Sequence, residues 1–214
     1  MLRALLPLAL FGLQAPAVTL APVEGAKTVH LSSLKLNLGG IDATVDSEIN
    51  AVYSKVTPEG FDVEETLANL KVMANGQELP ANADPIKASI GKDGTLKTLG
   101  GGVKGVSAAM MYLIFRFVPA PAETGKTTTV TLKGDGVEIP DQKVESTYIG
   151  PKKVEAGEGF EFKQKTTANE LVIDTDFVVK ADGTILEATT KFTGLPVPQA
   201  GGSADGTGTR SLKP

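Results

Sequence analysis

The sequence predicts a mainly β, α+β domain: a curved antiparallel sheet or half-barrel of about 8–11 strands with one main apolar helix packed on it. Three observations predict it. Long stretches alternate apolar and polar residues with a period of two. Gly-Gly, Asn-Gly and Asp-Gly pairs punctuate those stretches, and 24 glycines with 13 prolines suit a chain of many turns. A single run, "GVSAAMMYLIFRFVPAP" from Gly105 to Pro121, is apolar nearly all the way round.

The first 17 residues, "MLRALLPLALFGLQAPA", read as a secretory signal peptide: Arg3, an apolar stretch from Ala4 to Leu13, and a small-x-small site at Ala15-Pro16-Ala17. Cleavage is expected after Ala17, because a cut after Ala15 would place Pro16 just past the scissile bond. A buried N-terminal helix is the structural alternative. The apolar part is short for a bilayer span, so no integral membrane anchor is expected after cleavage. The chain has no cysteine, hence no disulfide and no thiol to carry a lipid at the mature end. That combination points to a bacterial periplasmic or secreted protein. Residues 18–198 then form a single β-rich exported domain.

Val18 to Ala26 read as a leader into the fold. "TVHLSSLKLNL" alternates around Leu34, Leu36 and Leu38, and Gly39-Gly40 turns the chain. In "IDATVDSEINAVYSKV" Ile41, Ala43, Val45, Ile49, Ala51 and Tyr53 share one face and Asp42, Thr44, Asp46, Glu48, Asn50 and Ser54 the other. A sheet with one core face and one wet face reads this way. After the turn at Thr57–Gly60, "FDVEETLANLKVMA" changes phase between Leu67 and Leu70. A bulge in a strand, or a helix begun near Asp62, accounts for the change. Asn75-Gly76 is a turn. "PIKASIGKDGTLKTL" and "FVVKADGTILEATT" are hairpins turning at Asp93-Gly94 and Asp182-Gly183. Between them, Thr127–Leu132 is a strand, Gly134-Asp135-Gly136 a turn, Lys143–Ile149 a strand, and "GFEFKQKT" and "ELVIDTDFVVKA" continue the sheet. From Gln199 onward "QAGGSADGTGTRSLKP" has almost no apolar residues, and residues 199–214 are expected to be a disordered tail.

The apolar run is interrupted between Val106 and Val118 only by Ser107 and Arg116. It is too short for a transmembrane helix, which needs about 20 residues. The spacing and composition predict a helix from about Val103 to Phe115, passing into a segment that Pro119 and Pro121 keep extended. A helix apolar all round is covered on most sides. Val106, Ala109, Met110, Met111, Leu113 and Ile114 on it, with Phe117 just beyond, are therefore candidates for core packing, for the wall of a ligand cavity, or for a partner or membrane surface.

The motifs for catalysis are weak. "ETGKTTT" contains Gly-Lys-Thr, but a phosphate loop needs a glycine where Ala120 stands, and a Thr-rich strand follows in place of a helix. His30 is the only histidine, so a Ser-His-Asp triad would have to use it. It is expected to be a solvent-facing strand residue, and no Gly-x-Ser-x-Gly elbow accompanies it. Asp42, Asp46 and Glu48 on one strand face read as solvated surface, and Asp174, Asp176 and Asp182 have no EF-hand spacing. No catalytic, cofactor-binding or metal-ligating residue is assigned, no cofactor is expected, and the chain is not read as an enzyme. A formal net charge of −4 offers no basic face to nucleic acid.

A signal peptide, an antiparallel meander, an apolar helix and a second meander closing on "VVKADGTILEAT" form an order that resembles exported bacterial half-β-barrel proteins, LolA-like and LppX-like lipoprotein carriers and related uncharacterised exported families. The resemblance implies lipid or lipoprotein binding in an apolar concavity, and the partner expected here is an apolar small molecule or lipid. The expected function is a non-catalytic binding module of that kind; a structural or protein-interaction component of the cell envelope, with an envelope protein as partner, is the alternative.

Overall fold

The computed structural model describes residues 18–103, 112–120, 123–134, 139–197 and 201–214. Its strands are β1 (Lys27–Leu38), β2 (Ile41–Thr57), β3 (Gly60–Ala74), β4 (Gln77–Leu79), β5 (Ala83–Gly91), β6 (Leu96–Val103), β7 (Thr127–Leu132), β8 (Gln142–Val154), β9 (Gly157–Ala168), β10 (Leu171–Val179), β11 (Ile185–Val197) and β12 (Gly202–Leu212). They form one open antiparallel sheet in the order β6-β5-β3-β2-β1-β12-β11-β10-β9-β8-β7, with β4 paired to the far end of β3.

The turn chemistry read from the sequence builds these hairpins. Asp93-Gly94 and Asp182-Gly183 use one device: an Asp Oδ1 accepts the N–H of the Thr two residues on, at 2.9 Å in both turns. Gly94 and Gly183 follow with φ of +85° and +83°, which a side chain would strain. The phase change in β3 is a bulge. Asp46 pairs with Lys71 but Glu48 with Ala68, so β3 carries one extra residue there, and Asn69 takes a φ of +52°.

Two expectations are corrected. The segment expected to be a disordered tail contains β12, which lies in the middle of the sheet between β1 and β11. Its poverty in apolar residues has a packing reason. Ala204, Gly208 and Arg210 are buried, and the ring of Phe192 lies over Gly206, where an added Cβ would sit 2.6 Å from it. Neighbouring aromatics thus fill the space that β12 side chains would occupy. The sheet accordingly has twelve strands rather than the 8–11 expected. The apolar helix is the second correction. Val103 ends β6, residues 104–111 of the predicted helix lie outside the described residues, and only Tyr112 and Leu113 carry helical backbone. From Arg116 to Ala120 the chain has no regular secondary structure. The signal peptide over 1–17 and the turn at Asp135-Gly136 also lie outside the described residues.

The segment Tyr112–Ala120 shows how strongly the sheet curls. Phe117 stacks edge-to-face on Phe162 of β9 and Phe177 of β10, at 5.3 and 5.5 Å between ring centroids. Arg116 reaches Gln142 of β8. Val118 packs with Leu132 and Val144 near one end of the sheet, yet lies against Gly94, in the β5–β6 turn at the other end. A single short segment touches both ends only if the sheet wraps around it. The main hydrophobic cluster joins Leu34, Phe61, Ile90, Leu113, Ile114, Phe162, Phe177 and Phe192, and Val118 forms a smaller one with Leu132 and Val144.

Irregular chain can be buried only if its backbone polar groups find partners. Gln164 supplies them: its Oε1 accepts the Val118 N–H at 3.2 Å, and its Nε2 donates to the Val118 carbonyl and to Ser146 Oγ. The side-chain amide stands in for a neighbouring strand. Gln164→Leu is expected to cost about 1–3 kcal/mol in urea denaturation, since it leaves both backbone groups buried without partners. A loss within experimental error would mean that water replaces the amide.

Candidate functional site

The curl leaves a cavity of about 80 Å3 between the Tyr112–Phe117 segment and the inner face of β1–β3, β5 and β12, capped by the β10–β11 turn. Leu20, Phe61, Val63, Ile90, Phe115 and Phe117 supply apolar wall. His30, Tyr53, Glu65, Tyr112, Arg116 and Arg210 line it with polar groups. The volume suits a few waters or a headgroup-sized moiety; a cavity of about 150 Å3 is what benzene needs. The leader Val18–Ala21 helps close it, with the N–H groups of Thr19 and Ala21 donating to the carbonyls of Ala181 and Asp182.

Three ionisable residues meet here from three strands. Arg210 Nη2 donates to Glu65 Oε1 at 2.9 Å, with both side chains about nine-tenths buried. Arg210 and Glu65 sit on β12 and β3, three strand spacings apart, or about 14 Å on a flat sheet. The curl shortens that path, and Ala51 on the intervening β2 leaves room for it. Burial pulls the Arg210 proton affinity down, but the Glu65 carboxylate outweighs it and the group sits above its ordinary range. His30 is 1% exposed, which corrects the solvent-facing expectation. It lies in phase with Leu34, and that phase is the inner face of β1. Its Nε2–H donates to the Ile185 carbonyl at 2.9 Å, leaving Nδ1 to face Arg210 Nη2 at 3.5 Å.

Burial, then the neighbouring Arg210 charge, push the His30 pKa down to about 4. The unfolded chain binds the imidazole proton near pH 6.5 and the folded chain does not until about pH 4. Stability therefore rises with pH across that window and is lost as pH falls through it. About 3 kcal/mol is the expected full loss, at about 1.4 kcal/mol per pKa unit. Comparing the native chain with His30→Gln between pH 7 and pH 4 isolates the effect: the variant is expected to lose about 3 kcal/mol less. Parallel curves would contradict the buried neutral imidazole.

Arg116 differs from Arg210. It is 7% exposed, Nη2 donates to Gln142 Oε1 at 2.7 Å, and Nη1 has no acceptor. No carboxylate of the described residues lies within ion-pair distance. Burial lowers its pKa to about 10, so it is still charged at neutral pH. Burial also raises the Tyr53 and Tyr112 hydroxyls, keeping them neutral. His30 is thus neutral at neutral pH, with Nε2–H on the Ile185 carbonyl and Nδ1 facing Arg210.

Of the residues singled out in the apolar run, Leu113 and Ile114 are buried core, and Phe117 is both core and cavity wall. Val106, Ala109, Met110 and Met111 lie outside the described residues. Asp42 and Asp46 are exposed, and Glu48 pairs with Lys213 at 2.9 Å. Sequence reasoning missed Glu65 and Arg210. The available signal was phase: Glu65 continues the row Phe61, Val63, and Arg210 the row Ala204, Gly206, Gly208. Compared with protein-family models, curated proteins and solved structures, the chain matches none.

Proposed function

We propose that this protein is an exported bacterial protein, periplasmic or secreted after cleavage behind Ala17, and a non-catalytic binding module for a small apolar or lipid-like ligand. The observation that carries the reading is the cavity beside Tyr112–Phe117, with aromatic and aliphatic walls and buried charged groups inside one curled sheet. A purely structural domain gains nothing from burying unpaired polar atoms there, since each costs free energy. A ligand that supplies the missing contacts offsets that cost. The cavity's size makes the ligand small, or makes the bound portion the polar end of a longer molecule. The resemblance to LolA-like carriers read from the order of sequence elements implies a ligand of the same class, and it is an analogy of fold and not of site.

The test is chemical. Protein purified from its own host is denatured, extracted into organic solvent and analysed by mass spectrometry, and the stripped protein is titrated with an apolar fluorescent dye. A recurring small amphiphile or lipid at near-stoichiometric yield, with dye enhancement that the extract competes away, is the expected result. An empty extract with no gain in dye fluorescence would overturn the reading, and a crosslinked envelope protein in its place would favour a structural role.

A further inference from the structure

We infer that the cavity takes an oxyanion, a carboxylate or phosphate group, at Arg116 and Arg210; this rests on the reading of the cavity as a binding site. Arg116 and Arg210 line one cavity, and each has a buried nitrogen without an acceptor: Nη1 of Arg116 and Nε of Arg210. Glu65 neutralises Arg210. Nothing among the described residues does the same for Arg116. Asp93 contributes a field at Arg116, but its two oxygens are engaged by the Thr95 N–H and hydroxyl. Asp182, at the cap, accepts the Thr184 N–H and pairs with neither arginine.

A buried guanidinium without a carboxylate is costly, and native interiors avoid it unless the charge has a use. Arg116 and Arg210 both line this small space, and a guanidinium pairs with an oxyanion, which accepts hydrogen bonds on each oxygen, better than with a neutral hydroxyl. The apolar wall of Phe61, Ile90 and Phe117 beside them fits the first methylenes behind such a group. The same chemistry belongs to the headgroup of an amphiphile and to a free anion, and the experiment separates the two.

The full chain as purified, stripped of ligand, is titrated calorimetrically at neutral pH with octanoate, octanol, acetate and inorganic phosphate. Octanoate is expected to bind at least about tenfold more tightly than octanol, the preference of charge-assisted over neutral hydrogen bonds. Acetate or phosphate matching octanoate would support the anion site with a free anion as its source. Arg116→Gln is expected to abolish the preference for the anion, and Arg116→Lys to retain part of it; the comparison of probes on the native chain stands even if a variant misfolds. Octanoate and octanol binding equally would overturn the anion site while leaving the apolar reading intact. Binding of none of the probes would overturn both, and anions binding where octanol does not would uphold the anion site against the apolar reading.

Discussion

Glu65→Leu is expected to destabilise the protein by about 3–5 kcal/mol, and adding Arg210→Met to restore most of the loss. The single change leaves the Arg210 guanidinium buried without its carboxylate, in a cavity that Arg116 also lines. Both desolvation and the repulsion between the two cations then act against the fold. The double change removes the charge with its partner and replaces both by apolar groups of similar length, which buried pairs commonly tolerate. Urea denaturation of the native, single and double variants measures this directly. A single variant within about 1 kcal/mol of the native chain would show that water reaches Arg210 and screens it. A double variant as unstable as the single would show that the pair is needed for packing and not merely tolerated.

Deleting residues 202–214 is expected to leave the chain unfolded. β12 pairs with β1 from His30↔Leu212 to Asn37↔Asp205 and with β11 from Glu187↔Ser211 to Val197↔Gly202. Its removal breaks the ladder on both sides, opens two inner strands to solvent and takes Arg210 away from Glu65. A disordered tail could be cut with no change in far-ultraviolet circular dichroism or melting temperature, so the two pictures differ by the whole folding transition. Gly206→Val tests the same strand more gently: its Cβ would sit 2.2 Å from the Lys35 carbonyl oxygen and 2.6 Å from the Phe192 ring. Backbone must shift, and about 1–3 kcal/mol is expected to be lost. A truncated chain that still melts cooperatively at the native temperature would contradict the placement of β12.

The elements were legible where the residue pattern alone decides them. The alternation in β1 and β2, the bulge announced by the phase change in β3, and the paired Asp-Gly-Thr turns are local matters of side-chain period and backbone conformation. β12 was not legible, because its strand character comes from its neighbours. Its inner positions are small so that rings borne by β11 and the Tyr112–Ala120 segment can cover them, and a strand stripped of apolar side chains reads as linker. The Tyr112–Ala120 segment was half legible: its burial follows from composition, but its backbone partners, on Gln164, are set by long-range packing.

The cavity shows the same division. His30 and Glu65 sit in the apolar phase of their strands, so their burial could be read, whereas their meeting with Arg210 depends on a curl that brings β3 and β12 together. Arg116 was visible as the charged interruption of an apolar run. What distinguishes it, a buried cation with no carboxylate at ion-pair distance among the described residues, exists only in three dimensions.

The central claim is that a ligand binds beside Tyr112. The chain has no tryptophan, so Tyr112→Trp places a single tryptophan, excited selectively over the remaining tyrosines, at the cavity wall. The account predicts blue-shifted emission that changes and saturates as octanoate or the host extract is added, at the concentration where calorimetry detects binding. Binding detected by calorimetry with the emission unchanged would place the ligand elsewhere and contradict the account.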